Sequence, residues 1–221
     1  MSRKTQDTIY YPVSLNISGR KCLVIGGGKV AARKVEGLIE HGAVVQVISP
    51  EICQELDKLA ADGKITVTSR EYRAGDLEGA FMAIIATDDS RVNREVVAEA
   101  GKRNVLVNVV DKAEKSDFIA PSHLRRGAIS IAVSTSGKSP ALARKLRIRL
   151  EEEFGEEYAR LAGVLGAVRT EIREKKLTVS GEDWQQSIEL DRLIEMLKRG
   201  EEEEVRTAVL SNLEARGKES R

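Results

Sequence analysis

Near the start of this chain two apolar runs enclose a glycine turn, and that arrangement restricts the fold more than any other feature. The first run, Lys21 to Ile25, reads KCLVI; the second, residues 43–48, reads AVVQVI. Both are short and rich in β-branched side chains, the signature of buried strands. Between them come Gly26, Gly27, Gly28 and Lys29, then Val30, Ala31, Val35, Leu38 and Ile39 at helical spacing, with Gly42 as the stop. Strand, glycine turn, helix and strand fit within ~30 residues, the size of one βαβ unit. Gly26, Gly28 and Ala31 form G-x-G-x-x-A. The first position gives a tight turn out of the strand. The second lets backbone approach a pyrophosphate. The third lets the helix pack close to the sheet, and the helix N-terminus supplies free amides for the phosphates.

The alternation continues. Residues 52–61 read as a helix, 65–68 (ITVT) as a strand, 81–86 (FMAIIA) as a strand, and a helix capped by Asp89 or Ser90 runs to about Arg103. Residues 105–110 (VLVNVV) are the next strand. Apolar strands separated by helices predict a parallel sheet covered on both faces. The expected class is therefore α/β, a Rossmann-type doubly wound sheet over 1–112. A small α+β segment follows over 113–150, with short strands at 118–120 and 128–133 and a helix from Pro140 at N1 to about Phe154. Residues 151–221 form a charged helical region that Gly181 and Gly200 divide into about three segments.

Charge separates these regions. The chain has 221 residues and a net charge of +1, which argues against a nucleic-acid binder. Yet residues 113–150 carry 8 basic and 2 acidic residues, and 151–221 carry 12 basic and 18 acidic. The middle segment is the expected surface for an anionic ligand, or else pairs with the acidic tail. Cys22 and Cys53 are too far apart for a CxxC motif, and no disulfide framework or zinc site is predicted. No run is of signal-peptide or membrane-spanning length, so a cytoplasmic location without membrane association is expected.

The end of the second strand lacks the usual acid for the adenosine ribose. Ser49 or Glu51 is left to bind its hydroxyls, and no adjacent Arg or Lys suggests a 2′-phosphate, which favours NAD over NADP.

Four motifs in order resemble one family, precorrin-2 dehydrogenase, which is the dehydrogenase part of siroheme synthase. They are Gly26-Gly27-Gly28-Lys29-Val30-Ala31-Ala32-Arg33-Lys34; Ala86-Thr87-Asp88-Asp89 with Val92-Asn93; Asn108-Val109-Val110-Asp111; and the run from Ser134 to Arg144 that ends in SPALAR. The resemblance covers about three-quarters of the chain. It implies NAD-dependent oxidation of precorrin-2 to sirohydrochlorin and, in some members, ferrochelation with Fe2+ as co-substrate. It implies a homodimer in which the segment after the sheet is exchanged.

Carried over residue by residue, Gly26, Gly28, Lys29 and Val30 meet the cofactor phosphates, and Pro50 and Glu51 flank the adenosine end. Thr87 lies at the nicotinamide end, and Asp111 is the catalytic carboxylate, a general base for the departing proton. Asn108, Thr135, Ser136, Lys138 and Arg144 are the candidate substrate ligands. Thr135 stands where some relatives have serine. The amide of Asn108 is expected either to position substrate or to hold its loop. Arg125, Arg126 and Lys145 are further partners for the eight carboxylates of precorrin-2.

His41 reads as a helix-end residue, His123 as a weaker acid–base candidate, and Trp184 as a packing anchor. No permanent metal site is predicted. With nothing following Arg221, the methyltransferase domain fused to some relatives is expected to be absent. The alternative function is a non-catalytic NAD-sensing module. That reading explains the glycine turn but leaves Asn108 to Asp111 and Ser134 to Arg144 without a role.

Overall fold

The structure, a computed structural model, describes residues 9–219, with side chains to residue 216. It divides into two compact units, Met1–Ala120 and Pro121–Arg221.

The first unit contains β1 (Lys21–Ile25), α1 (Lys29–Glu40), β2 (Val44–Ile48), α2 (Gln54–Ala61), β3 (Ile65–Thr68), β4 (Met82–Ile85), α3 (Ser90–Arg103) and β5 (Leu106–Val109). All pairings in its sheet are parallel, in the order β3-β2-β1-β4-β5. The apolar runs are unbroken because both sheet faces are buried. Cys22, Val24, Val45, Val47 and Ile84 pack with α1 and α2 on one face. Leu23, Ile25, Ile48, Ala83 and Ile85 pack with α3 on the other, together with Tyr72 and Leu77 from the helix-free crossover between β3 and β4. The chain reverses direction across the sheet between β1 and β4, so the crevice at their carboxyl ends is the topological switch point.

Residues 113–120 stay with this unit because their side chains cover the open edge of β5. Asp117 Oδ2 accepts from the Val107 amide at 3.0 Å, and Ser116 Oγ accepts from the Val109 amide at 2.9 Å. An edge strand otherwise presents bare amides to solvent or to another chain. The strand expected at 118–120 does not form, because its groups are committed here: the Phe118 carbonyl accepts from Asn108.

The second unit opens with an antiparallel hairpin, β6 (Ser122–Arg126) and β7 (Ile129–Val133), turned by Gly127 at φ 55° and Ala128. A lone hairpin is marginal in water. This one lies against α4 (Pro140–Glu153), and a Cβ at Gly127 would sit 3.0 Å from Ala159 Cβ in α5 (Glu156–Glu174). Then follow α6 (Gly181–Ser187), α7 (Leu190–Lys198) and α8 (Glu202–Glu219). Leu161, Val164, Val168, Leu193, Leu197, Val205 and Leu213 form their shared core.

The region after Glu156 thus has four helices where about three were expected. Gly181 does not end a helix; it opens α6 behind a Ser180–Asp183 capping box. The extra break falls at Ile188 and Glu189, which no glycine or proline announces. Gly200, at φ 82°, does follow the end of α7. No helix among the described residues is long and apolar enough to cross a membrane.

Candidate dinucleotide and catalytic site

Three consecutive glycines leave β1, and each lacks a side chain for a different reason. Gly26 has φ 119°, and a Cβ there would lie 2.3 Å from the Ala86 carbonyl oxygen at the end of β4. At Gly27 a Cβ would lie 1.9 Å from the Glu51 carbonyl oxygen in the loop after β2. The Gly26 amide donates to the Ile48 carbonyl, and the Gly27 carbonyl accepts from the Cys53 amide at 2.7 Å. Those two glycines lock the turn into its neighbours. Gly28 is different. Its φ of −81° suits any residue, and a Cβ would meet nothing within 4 Å. No part of this unit requires glycine there.

Gly28 is also the N-cap of α1. It makes no side-chain cap, and the first turn holds no acid. The amides of the first turn, including Lys29 and Val30, therefore have no intrahelical acceptor and face outward with the positive end of the helix dipole. Ala31 is fully buried, which lets α1 sit close to the sheet. The turn fits a dinucleotide: a bare backbone, free amides and open space coincide at Gly28.

A cleft of about 120 Å³ opens at the carboxyl ends of β1, β2 and β4, lined by Gly26, Ser49, Pro50, Glu71, Thr87 and Asp89 among others. The structure thus brings together Gly26, Pro50 and Thr87 as expected. Pro50 and Glu51 are exposed beside the turn, whereas the buried Ser49 hydroxyl donates to the Glu51 carbonyl at 2.6 Å and holds that loop. Of the two ribose candidates, Glu51 keeps its side chain available. Glu71 is an acid that sequence reasoning missed. It reaches the cleft from the loop after β3, so spacing from the glycine turn gives no sign of it. Arg91 pairs with it at 3.1 Å.

Across the crevice, Thr87 Oγ1 accepts from the Asp89 amide, and its carbonyl accepts from buried Asn93. Asp89 caps α3, accepting from the Arg91 and Val92 amides at 2.7 and 3.2 Å. The Arg91 amide first, then that of Val92, holds this carboxyl below the usual aspartate range.

Asp111 follows β5 at the carboxyl edge, exposed, with φ 60°. Asp and Asn visit this left-handed region more readily than other side chains, at a cost of roughly 1 kcal/mol. Ser116 holds the turn: its hydroxyl meets both the Val109 amide and the Lys112 carbonyl. Ser116 is a positioning residue that sequence reasoning missed, since nothing marks a serine five residues after the acid. Lys34 shares the neighbourhood. Burial lowers its ammonium pKa, Arg33 lowers it further, and the negative charge of Asp111 opposes them. Asn108 is 8% exposed and gives its Nδ2 to the Phe118 carbonyl at 2.9 Å. Of its two expected roles, loop holding is the one the structure displays.

In the second unit, the run before α4 is a compact turn held by its own hydroxyls. Thr135 Oγ1 accepts from the Ser139 amide, Ser134 Oγ accepts from the Ser136 amide, and Ser139 caps α4 at Leu142. Ser136 and Gly137 have φ 53° and 83°. Ser136, Lys138 and Arg144 are exposed, and Thr135 is half-buried. Arg126 is not available for ligand: it donates to the Phe154 and Glu151 carbonyls and pairs with Glu156. Arg125 donates to the Gly127 carbonyl through Nε, but it keeps both Nη groups exposed. Arg126 reads from sequence as an anion ligand because the number of cations does not reveal carbonyls nearby in space. His41 is the C-cap of α1, with Nδ1 2.7 Å from the Gly37 carbonyl, as expected of a helix-end residue. Among the described residues, no three His, Cys, Asp or Glu side chains are grouped to hold a metal.

Comparison with known proteins gives two family matches in tandem. Residues 13–122 match the family described as "Putative NAD(P)-binding", and residues 126–153 match "Sirohaem biosynthesis protein central". The siroheme synthase of Nitrosococcus oceani is 38% identical over 207 residues, covering 93% of this chain and 44% of that protein. That of Nitrosomonas europaea is 44% identical over 167 residues, covering 75% and 35%. The chain thus spans less than half the length of the curated relatives it matches. A solved structure titled "SirC, precorrin-2 dehydrogenase" superimposes with a TM-score of 0.73 at 28% identity, covering 90% of this chain and 98% of that one. A parallel sheet in the order 3-2-1-4-5, a glycine turn open at Gly28 and this pair of matched regions converge: the chain belongs to the siroheme synthase and precorrin-2 dehydrogenase family.

Proposed function

We propose that this protein is an NAD-dependent dehydrogenase that oxidises precorrin-2 to sirohydrochlorin in siroheme biosynthesis. The observation that carries the reading is the coincidence, within one unit, of an uncapped α1 N-terminus at Gly28 and a carboxylate, Asp111, at the same carboxyl edge of the sheet. NAD supplies the hydride acceptor. Gly26, Gly28, Lys29 and Val30 bind its phosphates, Pro50 and Glu51 its adenosine end, and Thr87 its nicotinamide end. Dehydrogenation releases a hydride and a proton. Asp111 is the general base that takes the proton, and Lys34 lies where it balances the charge of that carboxylate.

The substrate is polyanionic. Thr135, Ser136, Lys138 and Arg144 are its proposed ligands, and the Arg144 and Lys145 side chains stand exposed on α4. The active form is a homodimer in the cytoplasm. Leu142 and Leu146, one turn apart on α4, are 50% and 41% exposed, an apolar strip that a second copy covers. Ferrochelation of sirohydrochlorin is the second activity proposed. Fe2+ enters as substrate while two pyrrole protons leave, one to Asp111 and the other to solvent water.

Asp111→Asn tests the assignment cleanly, because asparagine also tolerates positive φ and leaves the turn intact. The expected result is unchanged NAD binding and a drop in precorrin-2 turnover of ~100-fold or more. Turnover within threefold of wild type removes Asp111 from the chemistry.

A further inference from the structure

A second cleft is lined by residues of neither the glycine turn nor the Asp111 turn. It lies in the second unit between α5 and α6, has a volume of about 680 Å³, and is lined by Leu165, Gly166, Arg169, Arg173, Leu177 and Trp184 among others. That volume falls within the range of small-molecule sites, which combine apolar walls with a few polar groups.

The two arginines are the informative feature. Residues 151–221 carry more acids than bases, and several neighbouring cations are taken up. Lys175 pairs with Glu171 and Glu214, Arg206 with Glu171, Lys198 with Glu195, and Arg199 with Glu201. Among the described residues neither Arg169 nor Arg173 makes an ion pair. Glu171 lies between them in sequence, yet its carboxylate is engaged by Lys175 and Arg206. The spacing of four residues puts both guanidinium groups on one helix face, and that face borders the cleft. Gly166, three residues before Arg169, shares the face. A Cβ there would meet nothing within 4 Å. The helix thus carries glycine where alanine is better by roughly 1 kcal/mol, and, as at Gly163, no neighbour among the described residues requires it.

We propose that the α5–α6 cleft binds a flat, apolar-ringed carboxylate. Trp184, Leu165 and Leu177 meet its ring, and Arg169 and Arg173 meet its carboxylate groups. Arginine suits this role through its planar fork, which matches a carboxylate bidentately. None of the residues lining it is among those proposed for the dehydrogenase centre. Two sources share this chemistry: a tetrapyrrole polycarboxylate and a smaller aromatic acid.

Trp184 is the only tryptophan in the chain, so its emission carries a signal from this cleft, and the arginine variants separate that signal from energy transfer to probe bound elsewhere. The 221-residue chain, saturated with NAD, is titrated with uroporphyrin or with 2-naphthoate while Trp184 fluorescence is followed. We expect a saturable change with at least one probe. We expect the affinity to fall ~10-fold or more in Arg169→Ala/Arg173→Ala, and binding to be lost in Gly166→Leu, whose larger side chain fills the floor of the cleft. Leucine is a better helix former than glycine, so Gly166→Leu keeps the wild-type melting temperature. Dehydrogenase turnover stays at the wild-type level in both variants. Response to uroporphyrin alone identifies a macrocycle site; response to both probes identifies a site for aromatic acids generally. No saturable change with either probe overturns the proposal, as when a partner chain already covers the cleft. Equal affinities in wild type and both variants also overturn it.

Discussion

Two helices begin beside the crevice of the first unit, and their N-termini are finished in opposite ways. The start of α3 is closed: the Asp89 carboxylate accepts from the Arg91 and Val92 amides and neutralises the helix end. The start of α1 is open, with Gly28 at the N-cap, no side-chain cap and no acid in the first turn. A helix that served only to cover the sheet is more stable with the first arrangement. Leaving α1 uncapped, in the same crevice and on a neighbouring strand, sacrifices local stability to keep amides available for an anion. The same contrast runs through the three glycines. Gly26 and Gly27 are dictated by carbonyl oxygens of the protein itself, whereas Gly28 is dictated by nothing in the unit. Glycine identity alone therefore does not mark a binding residue; at Gly28 unclaimed space coincides with uncapped helix amides.

The contrast is broken most severely at Gly27. Gly27→Ala forces a methyl group into the Glu51 backbone, and we expect a loss of ~3 kcal/mol or more in the stability of the first unit, read by chemical denaturation. The sharper experiment is Gly28→Asp, which gives α1 the cap that α3 already has. NAD affinity should fall ~100-fold, because a carboxylate occupies the pyrophosphate position, while the melting temperature holds or rises. Calorimetric titration and a thermal melt on one sample distinguish this from unfolding. The converse change, Asp89→Ala, should lower the melting temperature by a few degrees and leave NAD affinity within about twofold. Its pH signature is specific. The Asp89 carboxyl sits below its unfolded value, so its contribution is complete above the ordinary aspartate pKa. That contribution is lost as pH falls through the depressed folded value, and the difference between wild type and Asp89→Ala should vanish in acid.

The smallest effect concerns Cys22 in the middle of β1. Burial pushes its thiol up to about 11. The folded state therefore retains a proton that the unfolded state releases, and stability should decline between the ordinary thiol pKa and that value. Alkylation at neutral pH should reach Cys53 first and Cys22 only on unfolding.

The central sheet was legible because each strand is buried on both faces and so appears as an unbroken apolar run, from KCLVI to VLVNVV. β6 was not, because its sequence, SHLRR, buries only Leu124. A hairpin supported on one side leaves too little apolar patterning to read. The break between α6 and α7 escaped for a related reason: tertiary packing of Ile188 sets it, not a helix breaker. In the site, the glycine turn and Asp111 were readable because they are contiguous motifs. Glu71 and Ser116 were not, since each reaches its place through the fold; Lys34 ends the glycine motif, but its nearness to Asp111 does not show there. The same limit explains Arg126, counted among substrate ligands but tied to the Phe154 carbonyl.

The most direct test mixes the purified protein with enzymatically generated precorrin-2 and NAD, without metal, and follows NADH and the sirohydrochlorin spectrum together. NADH and sirohydrochlorin should appear in equal amounts, with both abolished in Gly28→Asp. NAD binding to the wild type without formation of either product would contradict it and leave a nucleotide-sensing protein in its place.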